Sequence, residues 1–258
     1  GTEIQKKKIG VIGLGAIGVL VANAARNLGM DVYGYDPYLS LKSAWNLSRS
    51  VHHVNSVDEI FEHCDYISVH VPLMDTTRNM VGKDGIAKMK PSATILNFAR
   101  NGLVDEDAVV EALKEGRLRH YVTDFPTPKV AAVDGVIAFP HLGASTEESE
   151  ENCAVMAVEQ VMDYLENGNI RNSLNFPNID MGVCQTEGRI AILHRNIPNM
   201  LTRFTGMFSK DGINITEMSN KTKGDYSYAI FDLDSPIAEE AVNELKAIDG
   251  VLKVRVIK

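Results

Sequence analysis

Lys8-Ile9-Gly10-Val11-Ile12-Gly13-Leu14-Gly15-Ala16-Ile17-Gly18 carries an apolar strand directly into the pattern G-x-G-x-x-G. Ile9 to Ile12 supply the strand and Ala16 to Leu28 a helix. Asp36, about 20 residues beyond the glycines, closes the next apolar run Val32-Tyr33-Gly34-Tyr35. Each glycine has a mechanical role. Gly13 makes the tight turn, Gly15 lets a pyrophosphate approach the backbone, and Gly18 lets the helix pack closely on the strand. The helix N-terminus offers free N–H groups and a partial positive charge to the phosphates. The segment therefore reads as a dinucleotide-binding unit. Asp36 is placed to accept hydrogen bonds from both hydroxyls of an adenosine ribose. The residues after it, Pro37-Tyr38-Leu39-Ser40, offer no arginine to a 2′-phosphate, so the expected cofactor is NAD.

Outward from this unit, short β-rich runs alternate with helical stretches as far as residue 140. The expected strands are Lys8 to Gly13, Asp31 to Tyr35, Ser50 to Val54, Tyr66 to Val71, Ala93 to Asn97, Tyr121 to Thr123 and Val136 to Ala138. Such alternation predicts an α/β fold with a doubly wound parallel sheet, in which ligands sit beyond the carboxyl ends of the strands. Gly13 to Gly18, Asp36, Val71-Pro72, Phe98-Ala99-Arg100, Asp124 and His141 all fall there.

Ser145-Thr146-Glu147-Glu148 has the form of a capping box and predicts a long helix, with Ala154, Val155, Ala157, Val158, Val161, Met162 and Leu165 at helical spacing and Asn167-Gly168 as the stop. Residues 171–187 show no sustained period and read as a linker. From Gly188 the rhythm changes: strand Arg189 to Leu193, helix Asn199 to Lys210, strand Ile213 to Ser219, a turn at Lys223-Gly224, strand Tyr226 to Asp232, helix Ala238 to Ile248 and strand Leu252 to Ile257. The order βαββαβ predicts a small α+β, ferredoxin-like unit. The expected domains are 1–148, 149–187 as return helix and linker, and 188–258.

The 258 residues are 45% hydrophobic, enough for two cores, and the net charge of −8 argues against general affinity for nucleic acid or an anionic membrane. No apolar run approaches the length of a membrane span. Cys64, Cys153 and Cys184 are odd in number and contain no C-x-x-C, which fits a reducing cytoplasm better than a disulfide framework or a zinc site. His52, His53 and His63 lack the spacing of metal ligands, and no metal is expected. The chain begins with Gly1 and enters its first strand within a few residues, so a segment upstream is expected to have been removed.

Three residues carry candidate chemistry. Arg100, in Asn97-Phe98-Ala99-Arg100-Asn101-Gly102, offers a permanent guanidinium to a carboxylate and adjacent carbonyl, which suits a 2-oxo or 2-hydroxy acid; its plainer alternative is a surface ion pair with Asp105 or Glu106. His141, after Phe139-Pro140 and before Leu142-Gly143-Ala144, suits an acid/base at the same sheet edge. Asp124 is the only acid near them in Thr123-Asp124-Phe125-Pro126-Thr127-Pro128-Lys129.

Taken together, the motifs resemble the D-2-hydroxyacid dehydrogenase family. The resemblance spans nearly the whole chain. It rests on Gly13 to Gly18, Asp36, His70-Val71-Pro72-Leu73, Asn97 to Glu106 and Pro140-His141-Leu142-Gly143-Ala144-Ser145-Thr146. It implies a Rossmann-like domain with Gly13, Gly15, Ala16, Ile17 and Gly18 at the pyrophosphate, Asp36 at the ribose and Val71 and Pro72 on the adenine side. Phe98, Ala99 and Arg100 are implied on the nicotinamide side, and Asp124, His141, Gly143 and Ala144 as further cofactor-binding residues. Arg100 is the implied substrate anchor and His141 the implied acid/base.

The final unit is similar to the amino-acid-sensing ACT domains that end the members oxidising 3-phospho-D-glycerate to 3-phosphooxypyruvate. That activity, feeding L-serine synthesis, is what the resemblance implies for the chain, with a phosphorylated 2-hydroxy acid as substrate, a homo-oligomeric assembly and L-serine as effector at His194, Asn196 and Asn214. Another D-2-hydroxy acid as substrate, or a fragment that binds NAD and senses amino acids without turnover, are the alternatives. Two departures bear on these. The family's catalytic glutamate after its Asp-Val-Phe segment has no counterpart here, leaving Asp124 either as the family's nicotinamide-facing aspartate or as the replacement. The lobe that precedes the first cofactor strand in the family is also missing from the sequence.

Overall fold

The computed structural model describes residues 2–258, which divide into two compact units, Gly1–Leu142 and Gly143–Lys258. In the first, β1 (Lys8–Ile12), α1 (Ala16–Asn27), β2 (Asp31–Tyr35), α2 (Leu41–Asn46), β3 (His52–His53), α3 (Val57–His63), β4 (Tyr66–Val69), α4 (Lys83–Lys88), β5 (Thr94–Asn97), α5 (Glu106–Lys114), β6 (His120–Thr123) and β7 (Val136–Ala138) follow in order. The seven strands form one parallel sheet in the order β3-β2-β1-β4-β5-β6-β7. Strand order reverses between β1 and β4, which opens a crevice at their carboxyl ends beside the glycine turn. All seven expected strands form. The third is trimmed to His52–His53, both exposed at the sheet edge.

Both faces of this sheet are buried because its strands alternate between two clusters. Ile9 and Val11 pack with Val19, Ala22 and Ala25 of α1, while Ile12, Ile67, Val69 and Ile95 pack with Ile60 of α3, Ile86 of α4 and Val109 of α5. Each fully buried branched side chain contributes about 1.5–3 kcal/mol. Ser56 caps α3 in a reciprocal capping box with Glu59, fixing the helix that covers β1.

The second unit contains α6 (Glu147–Asn167), β8 (Gly188–Arg195), α7 (Met200–Lys210), β9 (Ile215–Lys223), β10 (Tyr226–Leu233), α8 (Glu239–Ala247) and β11 (Val251–Val256). Its strands pair antiparallel in the order β11-β8-β10-β9, the ferredoxin-like arrangement. One face buries Phe204 and Phe208 of α7 and Leu245 of α8 against Ile190, Ile192 and Phe231. The opposite face, Ala191, Tyr228 and Ile230, is covered by Ile170 and Ile179 of the linker and by Tyr164. The linker is thus an ordered part of the unit, pinned by paired backbone hydrogen bonds between Ile170 and Ile179.

Two local expectations are corrected. The capping box at Ser145 and Glu148 does not form: Thr146 is the N-cap, accepting from the Ser149 amide, so α6 starts at Glu147. A hydroxyl one residue later serves equally, and Glu147, Glu148 and Glu150 then all fall in the positive first turn. The strand expected over Ile213 to Ser219 instead runs Ile215–Lys223, because Gly224-Asp225 makes a two-residue hairpin turn that keeps β9 and β10 paired to its edge. The apolar face of α6 is not buried within this chain, and Val155, Val158, Val161 and Leu165 are exposed. No helix of the described residues is long and apolar enough to cross a membrane.

Candidate functional site

The glycine turn has the shape its sequence requires. Gly13 takes a φ of 92°, and a Cβ there would lie 2.8 Å from the His70 carbonyl oxygen and the Val71 side chain, so the turn packs against the end of β4. A Cβ on Gly18 would meet the Gly13 carbonyl oxygen, whereas one on Gly15 would meet nothing of the protein. Gly13 and Gly18 therefore serve packing between β1 and α1. Gly15, Ala16 and Ile17 are exposed along the α1 N-terminus, which leaves free backbone for a phosphate.

Asp36 is already oriented: one oxygen accepts from the Leu14 amide at 2.8 Å and the other from the Tyr38 amide at 2.8 Å. Each oxygen retains a further acceptor position, which suits a ribose diol. His70 is held beneath the turn by Ser68, whose Oγ is 2.8 Å from Nε2, and its burial lowers the imidazole pKa below the usual value. Val71 is half-buried, while Pro72 is exposed at the same strand end.

On the other side of the crevice, Asn97 at the end of β5 organises the turn that follows. This side chain, 1% exposed, accepts from the Ala99 amide at 3.2 Å and donates to the Arg100 carbonyl at 3.0 Å. Asn97 thus fixes Phe98-Ala99-Arg100 without facing a ligand. In the sequence it stands out only as part of a motif, although an asparagine at a strand end is a known turn former. The Arg100 guanidinium is exposed and donates to the Ala99 carbonyl at 2.7 Å. Its alternative partners are engaged elsewhere: Asp105 caps α5 and Glu106 accepts from Thr127.

Two strands along, Asp124 and His141 come together. Thr123 ends β6 and accepts from the Phe125 amide at 3.0 Å, turning the chain so that Asp124 points under the loop after β7. His141 Nδ1 lies 3.4 Å from an Asp124 carboxylate oxygen, and the His141 ring is 4.5 Å from that of Phe125. Asp124 is 13% exposed against 58% for His141. The second Asp124 oxygen is buried without any hydrogen-bond partner. A buried carboxylate oxygen of this kind needs a donor, and the amide of a nicotinamide carboxamide supplies one. The open backbone at Gly15, the oriented Asp36 and this orphan oxygen all fit NAD. Gly143 and Ala144 open the second unit and are exposed.

In the second unit, His194 is 2% exposed and both its nitrogens are engaged: Nδ1 donates to the Arg195 carbonyl at 2.8 Å, and Nε2 lies 3.2 Å from the Asn220 side-chain amide. Its ring also meets Phe204 edge-on. Asn196 and Asn214 are exposed and stand before and after α7, whose 11 residues span about 16 Å. Within one copy the structure does not bring them together. Among the described residues, no group of three His, Cys, Asp or Glu is placed to hold a metal.

Residues 1–143 match the family model described as D-isomer specific 2-hydroxyacid dehydrogenase, NAD binding domain, and residues 190–253 match an AHAS small subunit-like ACT domain. The chain is 32% identical to D-3-phosphoglycerate dehydrogenase of Haemophilus influenzae, over 99% of this chain and 64% of that protein. It is 42% identical to the enzyme of that name from Methanocaldococcus jannaschii, over 69% of this chain and 35% of the relative. The chain therefore spans less than two thirds of these relatives. Among solved structures, an NAD-complexed D-isomer specific 2-hydroxyacid dehydrogenase from Lactobacillus delbrueckii ssp. bulgaricus superimposes with a TM-score of 0.61 at 26% identity, covering 68% of this chain and 58% of that one. Sequence motifs, strand order and the NAD-shaped crevice agree with these likenesses: the chain belongs to the D-isomer specific 2-hydroxyacid dehydrogenase family, with the family's NAD-binding domain followed by an ACT domain.

Proposed function

We propose that the protein carrying this chain oxidises 3-phospho-D-glycerate to 3-phosphooxypyruvate with NAD, under the control of L-serine. The observation that carries the dehydrogenase reading is the Asp124–His141 pair with its buried, unpartnered oxygen. The choice of 3-phospho-D-glycerate rests on the names of the relatives and on the ACT domain that follows the NAD-binding domain.

In this reading the Asp124 carboxylate holds His141 by Nδ1 and stabilises the imidazolium, which leaves Nε2 for the substrate hydroxyl. Arg100 binds the substrate carboxylate through parallel N–H···O bonds. The hydroxyl proton passes to His141 Nε2 as hydride leaves C2, and the C2–O bond becomes a carbonyl. Gly15, Asp36 and Asp124 would hold NAD, which would supply the hydride acceptor. Asp124 thereby takes the positioning role of the missing glutamate with one oxygen and offers the other to the carboxamide.

L-Serine control is assigned to Asn196 and Asn214, with His194 holding the Arg195 carbonyl and so the approach to Asn196. Because the two asparagines flank opposite ends of α7, a serine bridging them needs two copies of the chain, which supports a homo-oligomer. The fraction of the relatives that the chain spans favours a second reading, a cofactor-binding and sensing portion that turns over only with further residues. One assay tests both: NADH, 3-phosphooxypyruvate and the chain, followed by NADH absorbance with and without L-serine, and repeated on a form extended at the N-terminus. Turnover in either form, slowed by serine, is the expected result. Absence of turnover in both refutes the substrate assignment, and turnover indifferent to serine refutes the regulation.

A further inference from the structure

The outer face of the second unit's sheet contains a cavity that the dehydrogenase reading does not use. It is a half-open cleft of about 490 Å³ between α6, the linker and the strands, a volume in the range of sites for small organic molecules. Leu193 of β8 and Tyr228 of β10 form its floor, and Tyr164 of α6 and Phe176 of the linker stand at its sides. The position is fixed by hydrogen bonds on several elements. The Tyr228 hydroxyl donates to the Gly168 carbonyl at 2.9 Å, which ties the floor to the end of α6. Arg255 lies over the Tyr164 ring at 4.2 Å and donates to the Tyr164 and Leu165 carbonyls.

The charge around the cavity is one-sided. Arg171, Lys253 and Arg255 all line it, and none of its lining residues is an aspartate or glutamate. Arg171 is paired with Asp180 and Asp163, and Arg255 serves the α6 carbonyls. Lys253 has no hydrogen-bond or ion-pair partner among the described residues. It sits opposite Leu193 in the β8–β11 register, next to the apolar floor. An apolar chamber with a free ammonium group at its wall selects a molecule that is itself apolar at one end and anionic at the other. The nearby carboxylates, Asp163 and Asp180, are committed to Arg171, which leaves no free counter-charge for an ammonium group and disfavours a zwitterion.

We propose that this cavity binds a small apolar carboxylate, an aryl or branched aliphatic acid without an amino group. Its carboxylate pairs with Lys253, and its hydrocarbon part lies on Tyr228 and Leu193 between Tyr164 and Phe176. The site is separate from Asn196 and Asn214, neither of which lines it, and the proposal stands whether or not the chain turns over 3-phosphooxypyruvate.

Titration of the chain with 3-phenylpropionate, followed by amide ¹H–¹⁵N NMR shifts, tests it. Saturable shifts are expected at residues 164–176, 191–193, 228 and 253–255. The neutral isostere 3-phenylpropionamide and the zwitterion phenylalanine are each expected to bind at least about tenfold more weakly, the equivalent of one charge-assisted contact. Lys253→Gln, an exposed substitution, is expected to weaken the acid by a similar factor, and Leu193→Trp to abolish binding by filling the floor. Should Leu193→Trp fail to fold, Lys253→Gln and the amide decide the question. No saturable shifts, shifts centred elsewhere, or equal binding of acid and amide overturn the proposal. So does loss of binding in the N-terminally extended form, since the cavity would then be covered by the added residues.

Discussion

Replacing His141 by alanine in a form that turns over is expected to lower kcat by about 10²- to 10⁴-fold, the usual contribution of a general acid/base. NADH binding should persist, because His141 is 58% exposed and supports nothing in the core. Asp124→Asn is the sharper companion. It preserves shape but removes the charge that stabilises an imidazolium at Nδ1, so kcat should fall and the pH profile of kcat should change shape. A role for Asp124 limited to the carboxamide predicts instead a higher KM for NADH with the pH profile intact. Stopped-flow hydride transfer and steady-state pH profiles on both variants separate these outcomes. Full activity in His141→Ala would remove His141 from the chemistry.

The second large effect concerns stability. Arg189 is buried and uses all five of its N–H donors: two parallel bonds to Asp232, one each to the Asn167 and Gly182 carbonyls, and one to Met181. The residue joins β8, β10, the end of α6 and the linker at one point. Arg189→Leu leaves the Asp232 carboxylate buried and unpaired and removes the side-chain donor from the Asn167 and Met181 carbonyls, while the Gly182 carbonyl keeps its bond from the Asn169 amide. A loss of about 3–5 kcal/mol is expected. For a unit of this size that lowers the unfolding midpoint by roughly 10 °C or more, read by thermal unfolding at 222 nm. The double variant Arg189→Leu with Asp232→Leu should recover part of the loss, because the charge is gone but the carbonyls remain unpaired. A single variant as stable as the wild type would show that the ion pair contributes nothing.

These two cases differ in how far the sequence announces them. Asp124 and His141 each stand after a strand of the parallel sheet, and topology alone carries such positions to one edge. Their pairing is not legible, since only the folded path of the loop after Thr123 brings the Asp124 carboxylate to 3.4 Å from His141. Arg189 is not legible at all: its partners at 167, 181, 182 and 232 are scattered along the chain, and no local periodicity marks them.

The same distinction runs through the fold. The glycine turn, the parallel strands and the βαββαβ order are readable because strand and helix periods and glycine stereochemistry are local signals. Thr146 prevails over Ser145 as the cap of α6 because adjacent hydroxyl residues offer nearly equivalent starts, and periodicity does not distinguish a one-residue choice. The extension of β9 through Asn220, Lys221, Thr222 and Lys223 has no apolar alternation to signal it, and comes from hairpin pairing with β10. Residues 171–187 read as a linker for lack of period, yet Ile179 is 2% exposed, buried by contacts that only the folded sheet provides. Asn97 shows the remaining gap: a buried amide that shapes the Arg100 turn has no sequence signature beyond its residue type.

The central claim is that the first unit binds NAD through its glycine turn, Asp36 and Asp124. Fluorescence titration of the chain with NADH, and in parallel with NADPH, tests it most directly. Saturable NADH binding is expected, with NADPH weaker by at least about tenfold, because a 2′-phosphate meets the Asp36 carboxylate and residues 37–40 after it offer no arginine. NADPH binding as tight as NADH, or no binding of either, would contradict it.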